Sequence, residues 1–156
     1  MMTKALILLR HAHAEPAARN QDDIDRPLSP RGVAEAEGAG AWLKTHPTLP
    51  ARILCSPSRR TRDTLQHALG KVEAAFEPRI YEATAGELVA LIDEHRDVEH
   101  LLLVGHNPGF ETLAALLTTG QSGDFRGIPP GGVVWIDLEE GMIEPGAGKL
   151  KAFWAP

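Results

Sequence analysis

Three short apolar runs end in the same way, and that repeated ending limits the folds open to this chain more than any other feature. Ala5 to Leu9 breaks off at Arg10-His11, Arg52-Ile53-Leu54-Cys55 breaks off at Ser56-Pro57, and His100 to Val104 at Gly105-His106-Asn107-Pro108. Short continuous apolar runs bounded by turn residues read as strands buried on both faces, the condition of a parallel sheet covered by helices. In such a sheet all strand ends of one sense lie on one edge, where open α/β sheets bind ligands. Arg10 is costly to bury unpaired, so its place at that edge calls for an acidic side chain or an anion.

The segments between the runs are helical. Residues 12–28 are polar and read as a loop. Ser29-Pro30 then supplies an N-cap and a proline at the first helical position, and the helix runs to about Lys44. Val33, Ala36, Ala39, Gly40 and Leu43 form its inner face, with Gly38 and Gly40 suited to close packing against a sheet. Pro47 and Pro50 mark the way out. Ser56-Pro57 repeats the cap device for a helix ended by Gly70, and a short strand is expected around Arg79 to Tyr81. Thr84-Ala-Gly-Glu87 is a capping box opening a helix with Leu88, Leu91 and Ile92 inward. Asn107-Pro108 starts another, with Phe110, Leu113, Ala114 and Leu117 on its inner face. Residues 118–132 read as loop, and Val133 to Leu138 and Lys149 to Trp154 as two closing strands around Glu140-Gly141 and Pro145-Gly146. The alternation predicts an α/β three-layer sandwich: a mainly parallel central sheet, helices on both faces, and an antiparallel edge.

The 156 residues are expected to form one domain, 1–156, with the 43% hydrophobic and 24% charged residues of a soluble globular protein. A formal charge of −5 argues against nucleic acid and offers no polybasic patch for a membrane. The apolar runs are far shorter than a membrane span, and the amino terminus lacks a signal-peptide pattern, so the expected location is cytoplasmic. One cysteine, Cys55, excludes an intrachain disulfide and a cysteine-based zinc cluster. Arginines nevertheless cluster, at 59, 60 and 62 and at 26 and 31.

The strand ends gather the chemistry. Arg10, His11, an arginine of the second helix and His106 meet at helix starts whose free N–H groups favour anions. Guanidinium is the planar, permanently charged donor suited to phosphate oxygens. An imidazole beside a bound phosphate either attacks phosphorus or transfers a proton. A neutral His11 could form a phosphohistidine that water then hydrolyses, with the arginines and His106 stabilising the equatorial oxygens and no metal needed.

Arg10-His11, Ser56-Pro57-Ser-Arg-Arg60-Thr-Arg-Asp-Thr64 and Val104-Gly105-His106-Asn-Pro-Gly109 resemble the histidine phosphatase superfamily (phosphoglycerate mutase-like). The motif Asp25-Arg26-Pro27-Leu28-Ser29-Pro-Arg-Gly32 and the short length are similar to its SixA-type phosphohistidine phosphatase branch. The resemblance implies that His11 is the nucleophile, that Arg10 and Arg60 bind phosphate, and that His106 is the second histidine. It further makes Glu82 the candidate general acid, while Arg26 either orients its loop or touches phosphate and Asn107 is a further phosphate-binding candidate. Arg59 and Arg62 fall off the motif position and should face solvent. The superfamily's commonest first motif is Arg-His-Gly; Ala12 stands at its third position, which requires a negative φ. The implied substrate is a phosphohistidine-bearing protein of phosphorelay or phosphotransferase type, with small phosphorylated metabolites as the alternative and no cofactor.

Other readings are weaker on the same residues. His11-Ala-His13 suggests a metal pair, but further Asp and His ligands at nearby spacing are lacking, and His13 reads as a loop or rim residue. A cysteine phosphatase loop needs five residues between Cys and Arg, whereas Arg60 and Arg62 give four and six after Cys55. A module that binds phosphohistidine without turnover would need the arginines but neither His11 nor His106.

Overall fold

The computed structural model describes residues 3–46, 50, 52–121, 127–138 and 143–156. Its centre is a six-stranded sheet in the order β3-β2-β4-β1-β5-β6. The strands are β1 (Ala5–Arg10), β2 (Arg52–Cys55), β3 (Ala75–Phe76), β4 (His100–Gly105), β5 (Val133–Leu138) and β6 (Gly148–Trp154). β1, β4, β2 and β3 are parallel; β5 runs antiparallel to β1, and β6 antiparallel to β5. The helices are α1 (Pro30–Lys44), α2 (Arg59–Leu69), α3 (Ala85–Glu94) and α4 (Gly109–Thr119). This is the layered α/β arrangement that the alternation of strands and helices predicts.

Period-two alternation divides the apolar runs between the two faces. Leu6 and Leu8 of β1, with Leu101 and Leu103 of β4, pack under Leu88, Leu91, Ile92, Phe110 and Leu113 of α3 and α4. Ala5, Ile7 and Leu9, with Leu102 and Val104, pack under Ala39, Leu43, Leu65 and Ala68 of α1 and α2. A strand apolar at every position is thus a strand covered on both sides.

Several local expectations need correction. The N-cap of α2 is Ser58, not Ser56: the Ser58 hydroxyl accepts from Thr61 N, while the Ser56 hydroxyl lies 2.8 Å from His106 Nε2. The strand expected around Arg79 is a turn of 3-10 helix, Pro78–Ile80, and the strand itself lies earlier, at Ala75–Phe76. Glu77 caps that turn by accepting from Arg79 N, which closes it before the chain can extend. Gly40 packs not on the sheet but against α2, where an added Cβ would lie 1.9 Å from the Ala68 carbonyl oxygen, whereas Gly38 does meet the sheet, at the Trp154 ring of β6. The turns placed at Pro47 and Glu140-Gly141 lie outside the described residues. Among the described residues no helix is long and apolar enough to cross a membrane.

The α1–α2 contact gives a direct test of this packing. Gly40→Ala should lower stability by about 2 kcal/mol or more, because backbone must move to admit the methyl group. Gly38→Ala should be neutral or mildly stabilising, since the Trp154 edge can give way and alanine is the better helix former. Urea denaturation of both variants checks the contrast.

Candidate active site

Parallel pairing of β1 with β4 sets Arg10 opposite Gly105, so the next residues, His11 and His106, emerge side by side at the carboxyl edge. Their ring centroids are 5.3 Å apart. Main-chain bonds hold the exit: His11 N donates to Gly105 O at 3.0 Å, and Arg10 N to Gly132 O at 3.1 Å. Ala12 is fully buried and donates its N–H to Thr64 Oγ1 at 2.9 Å, while Thr64 Oγ1 donates to Arg60 O at 2.7 Å. One threonine therefore ties the turn after His11 to the first turn of α2. Asn20 and Glu82 are the described non-glycine residues with positive φ, so Ala12 meets the condition its methyl group imposes.

The protonation state of His11 follows from a single contact. Its Nδ1 is 2.8 Å from the Ala12 carbonyl oxygen, which can only accept, so Nδ1 carries the hydrogen and Nε2 keeps its lone pair. Burial pushes the imidazole down to about 4, reinforced by Arg60, Arg10 and Arg26 and opposed by the Ala12 contact. Burial likewise pushes His106 down to about 3, helped by His11 and Arg60 and opposed by Asp23. At neutral pH both rings are uncharged between guanidiniums.

Arg10 donates through Nη1 to Ile128 O at 2.8 Å; burial lowers its pKa, with Glu111 and Glu35 opposing. Arg60 is 6% exposed and donates from Nη1 to Asp23 O (2.7 Å) and from Nη2 to Asp23 Oδ2 (3.0 Å). Arg26 donates to Glu15 O at 2.8 Å and to Asp23 Oδ1 at 3.0 Å, so it braces its own loop while also lining the cavity. A cavity of about 700 Å³ joins Arg10, His11, Arg26, Arg60, Glu82 and His106.

The remaining candidates divide. Glu82 stands exposed on the cavity wall at φ 58°. Asn107 also lines the cavity, but its Nδ2 hydrogens go to Glu111 Oε1 (2.6 Å) and Ile128 O (2.9 Å), which anchors the 127–132 segment. His13 is outside the cavity lining: its Nδ1 lies 2.7 Å from Ser29 Oγ, at the start of α1, and its N–H donates to Glu35. Among the described residues no group of three or more His, Cys, Asp or Glu side chains is placed to hold a metal ion. Cys55 is buried, and burial pushes its thiol up to about 12, which leaves it unreactive. Arg59 and Arg62 are exposed, and Arg59 pairs with Asp63.

Two residues of the site escape a reading of the sequence. Asp23 accepts from Arg60, Arg26 and, at 2.5 Å, the Tyr81 hydroxyl. Tyr81 also stands edge-on to the His106 ring, with centroids 5.5 Å apart. The hydrogen bond from Tyr81, then those from Arg26 and Arg60, hold the Asp23 carboxyl far below the usual carboxylate range. The same bond to Asp23 raises Tyr81 to about 12. The one hint in sequence is the nearness of Asp23 to Arg26.

Residues 6–100 match the Histidine phosphatase superfamily (branch 1). An uncharacterized protein of Mycobacterium tuberculosis is 34% identical over 149 residues, covering 86% of this chain and 91% of its own. Among solved structures, one assigned as the phosphohistidine phosphatase SixA of Nakamurella multipartitia superposes with a TM-score of 0.85 at 26% identity, covering 98% of this chain and 96% of that one. The protein histidine phosphatase SixA complexed with tungstate superposes with a TM-score of 0.78 at 25% identity, covering 97% of each chain. The chain belongs to the histidine phosphatase superfamily, branch 1, and its resemblance within it is to the SixA type.

The depressed imidazoles make a prediction for stability. Both folded values lie below the unperturbed histidine value of about 6.5, so between that pH and about 4 the unfolded chain binds more protons than the folded one. Stability should therefore fall as pH drops through this window, by about 2 kcal/mol for each imidazole between pH 7 and pH 4.5. Urea unfolding of the wild type beside a His11→Asn/His106→Asn variant isolates the effect. An equal pH dependence in the two proteins would contradict it.

Proposed function

We propose that this protein is a phosphatase working through a phosphohistidine on His11, with protein-borne phosphohistidine as its substrate. One observation carries the reading: a neutral imidazole whose Nδ1 hydrogen is committed to the Ala12 carbonyl, with an unprotonated Nε2, in a cavity shared with Arg10, Arg60 and His106. Such a nitrogen is a nucleophile without prior loss of a proton. In this reading His11 Nε2 attacks phosphorus in line, and the bond from phosphorus to the substrate's imidazole nitrogen breaks. The departing imidazole takes a proton from solvent or a cavity acid. Water then attacks the phosphorylated His11 and releases inorganic phosphate. The Arg10 and Arg60 guanidiniums supply the positive charge for the equatorial oxygens, and the uncharged His106 can add at most one N–H donor.

The substrate class is supported by what surrounds the cavity. The 12–28 loop is tied down through Asp23, Arg26 and the His13–Ser29 contact, and residues 127–132 are bound to Arg10, His11 and Asn107. Segments fastened in this way beside the cavity suit a phosphoryl group presented on another protein, and the likeness to the SixA structures points the same way. Glu82 fits this chemistry as an optional acid. A departing imidazole needs less protonation than an alkoxide does.

Single-turnover dephosphorylation of a labelled phosphohistidine protein, beside a small phosphomonoester at equal concentration and quenched in alkali, tests both mechanism and substrate. Label should pass through the wild type, faster from the protein. His11→Ala should retain the fold and lose turnover by about a thousandfold or more, and EDTA should change nothing. Faster release from the ester would keep the mechanism and overturn the substrate. No labelled enzyme and no release from either would point to a binding module. Glu82→Gln should slow the ester by about tenfold or more and the phosphohistidine substrate far less. Equal loss on both would make Glu82 a general acid for either leaving group.

A further inference from the structure

Three cavity-lining side chains, Arg26, Arg60 and Tyr81, bond to one carboxylate, Asp23. Asp23 opens a single turn of 3-10 helix, Asp23–Asp25, inside the 12–28 loop. Both terminal nitrogens of Arg60 end on this one residue: Nη1 on its main-chain carbonyl at 2.7 Å and Nη2 on its carboxylate at 3.0 Å. The same carboxylate accepts from the Tyr81 hydroxyl and from Arg26. The Arg60 guanidinium also lies over the Tyr81 ring, 5.9 Å from its centroid.

An arginine has a long flexible stem, and the direction of its planar fork is set by whatever bonds to it. Here the fork is gripped from one side by a backbone and a side-chain oxygen together. Each Nη keeps a second N–H after bonding Asp23, so the guanidinium retains donors for an anion. We propose that Asp23 is a positioning residue, holding the Arg60 fork and the Tyr81 hydroxyl in place so that a phosphoryl group meets donors already aligned. The proposal rests on the reading that Arg60 contacts phosphate.

A carboxylate on a phosphate-binding arginine could instead be a competitor that the phosphate displaces. The bonding pattern argues against displacement. One of the two bonds to Arg60 comes from main chain and does not leave with the side chain. The other belongs to a carboxylate that would forfeit charge-assisted bonds to Arg60 and Arg26 and its bond to Tyr81 in the same movement. Asp23 also bears on His106, whose imidazole it biases toward the protonated form.

Titration calorimetry with inorganic phosphate on the wild type, Asp23→Asn, Arg60→Ala and the double variant tests the proposal. Asp23→Asn keeps the side chain's size and one acceptor oxygen while removing the charge. It should weaken phosphate binding about tenfold or more, and by less than about twofold once Arg60 is already alanine. Unchanged or tighter binding by Asp23→Asn would overturn positioning and favour the competitor. The same weakening in the Arg60→Ala background would also overturn it, because Asp23 would then act on the loop and not through Arg60. If Asp23→Asn does not fold, Tyr81→Phe removes one bond to the carboxylate without touching the loop backbone and should weaken phosphate about threefold; no change would count against the proposal.

A measurement without phosphate separates this proposal from the one beneath it. In NMR spectra of the ligand-free wild type, rotation about the Arg60 Cζ–Nη bonds should be slow enough to resolve the Nη resonances, and Asp23→Asn should lose that resolution. Fast rotation in the wild type would overturn the proposal. Restricted rotation in a wild type that binds no phosphate would overturn the phosphatase reading and leave the Asp23–Arg60 clamp standing.

Discussion

The site depends on keeping two uncharged imidazoles among arginines, and this depends on the pairing of β1 with β4. Register brings residues 11 and 106 to the same point of the sheet edge, and burial does the rest by removing the water that would let either ring hold a proton. Imidazoles in contact with solvent would be partly protonated near neutrality, and a protonated ring has no free lone pair. The guanidiniums push in the same direction as burial, and they also give an anion its reason to enter.

Main-chain bonds do most of the positioning. Gly105 holds the His11 amide, Gly132 holds the Arg10 amide, and the Ala12 carbonyl selects the His11 tautomer. Side chains then join elements that are distant in sequence. Thr64 links the turn after His11 to α2, while Asn107 and Glu111 tie the 127–132 segment to α4, where the Ile128 carbonyl meets Arg10. The candidate site residues therefore sit on strand ends and helix starts, and Arg60 links this frame to the loop that carries Asp23 and Arg26.

The errors in reading the chain share a physical origin. Ser56 and Ser58 are equally good caps by residue type; the choice falls to Ser58 because the Ser56 hydroxyl meets His106, 50 residues away. Gly40 is as compatible with a sheet as with a helix until Ala68 arrives against it. The Asn107 Nδ2 hydrogens could serve many acceptors until Glu111 and Ile128 take them. In each case a local propensity left two outcomes open and a long-range contact decided.

The sequence by itself determined the order of strands and helices, the sharing of apolar residues between two faces, and the candidates Arg10, His11, Arg60 and His106. These follow from periodicity, capping residues and turn chemistry, all of which act over a few residues. Tertiary structure alone decided the neutral tautomer of His11, the depression of both imidazoles, and the binding of Asp23 to Arg60 and Tyr81 across 37 and 58 residues. Burial and hydrogen-bond partnership belong to the assembled chain, because solvent exclusion and donor–acceptor geometry do not exist until distant segments meet.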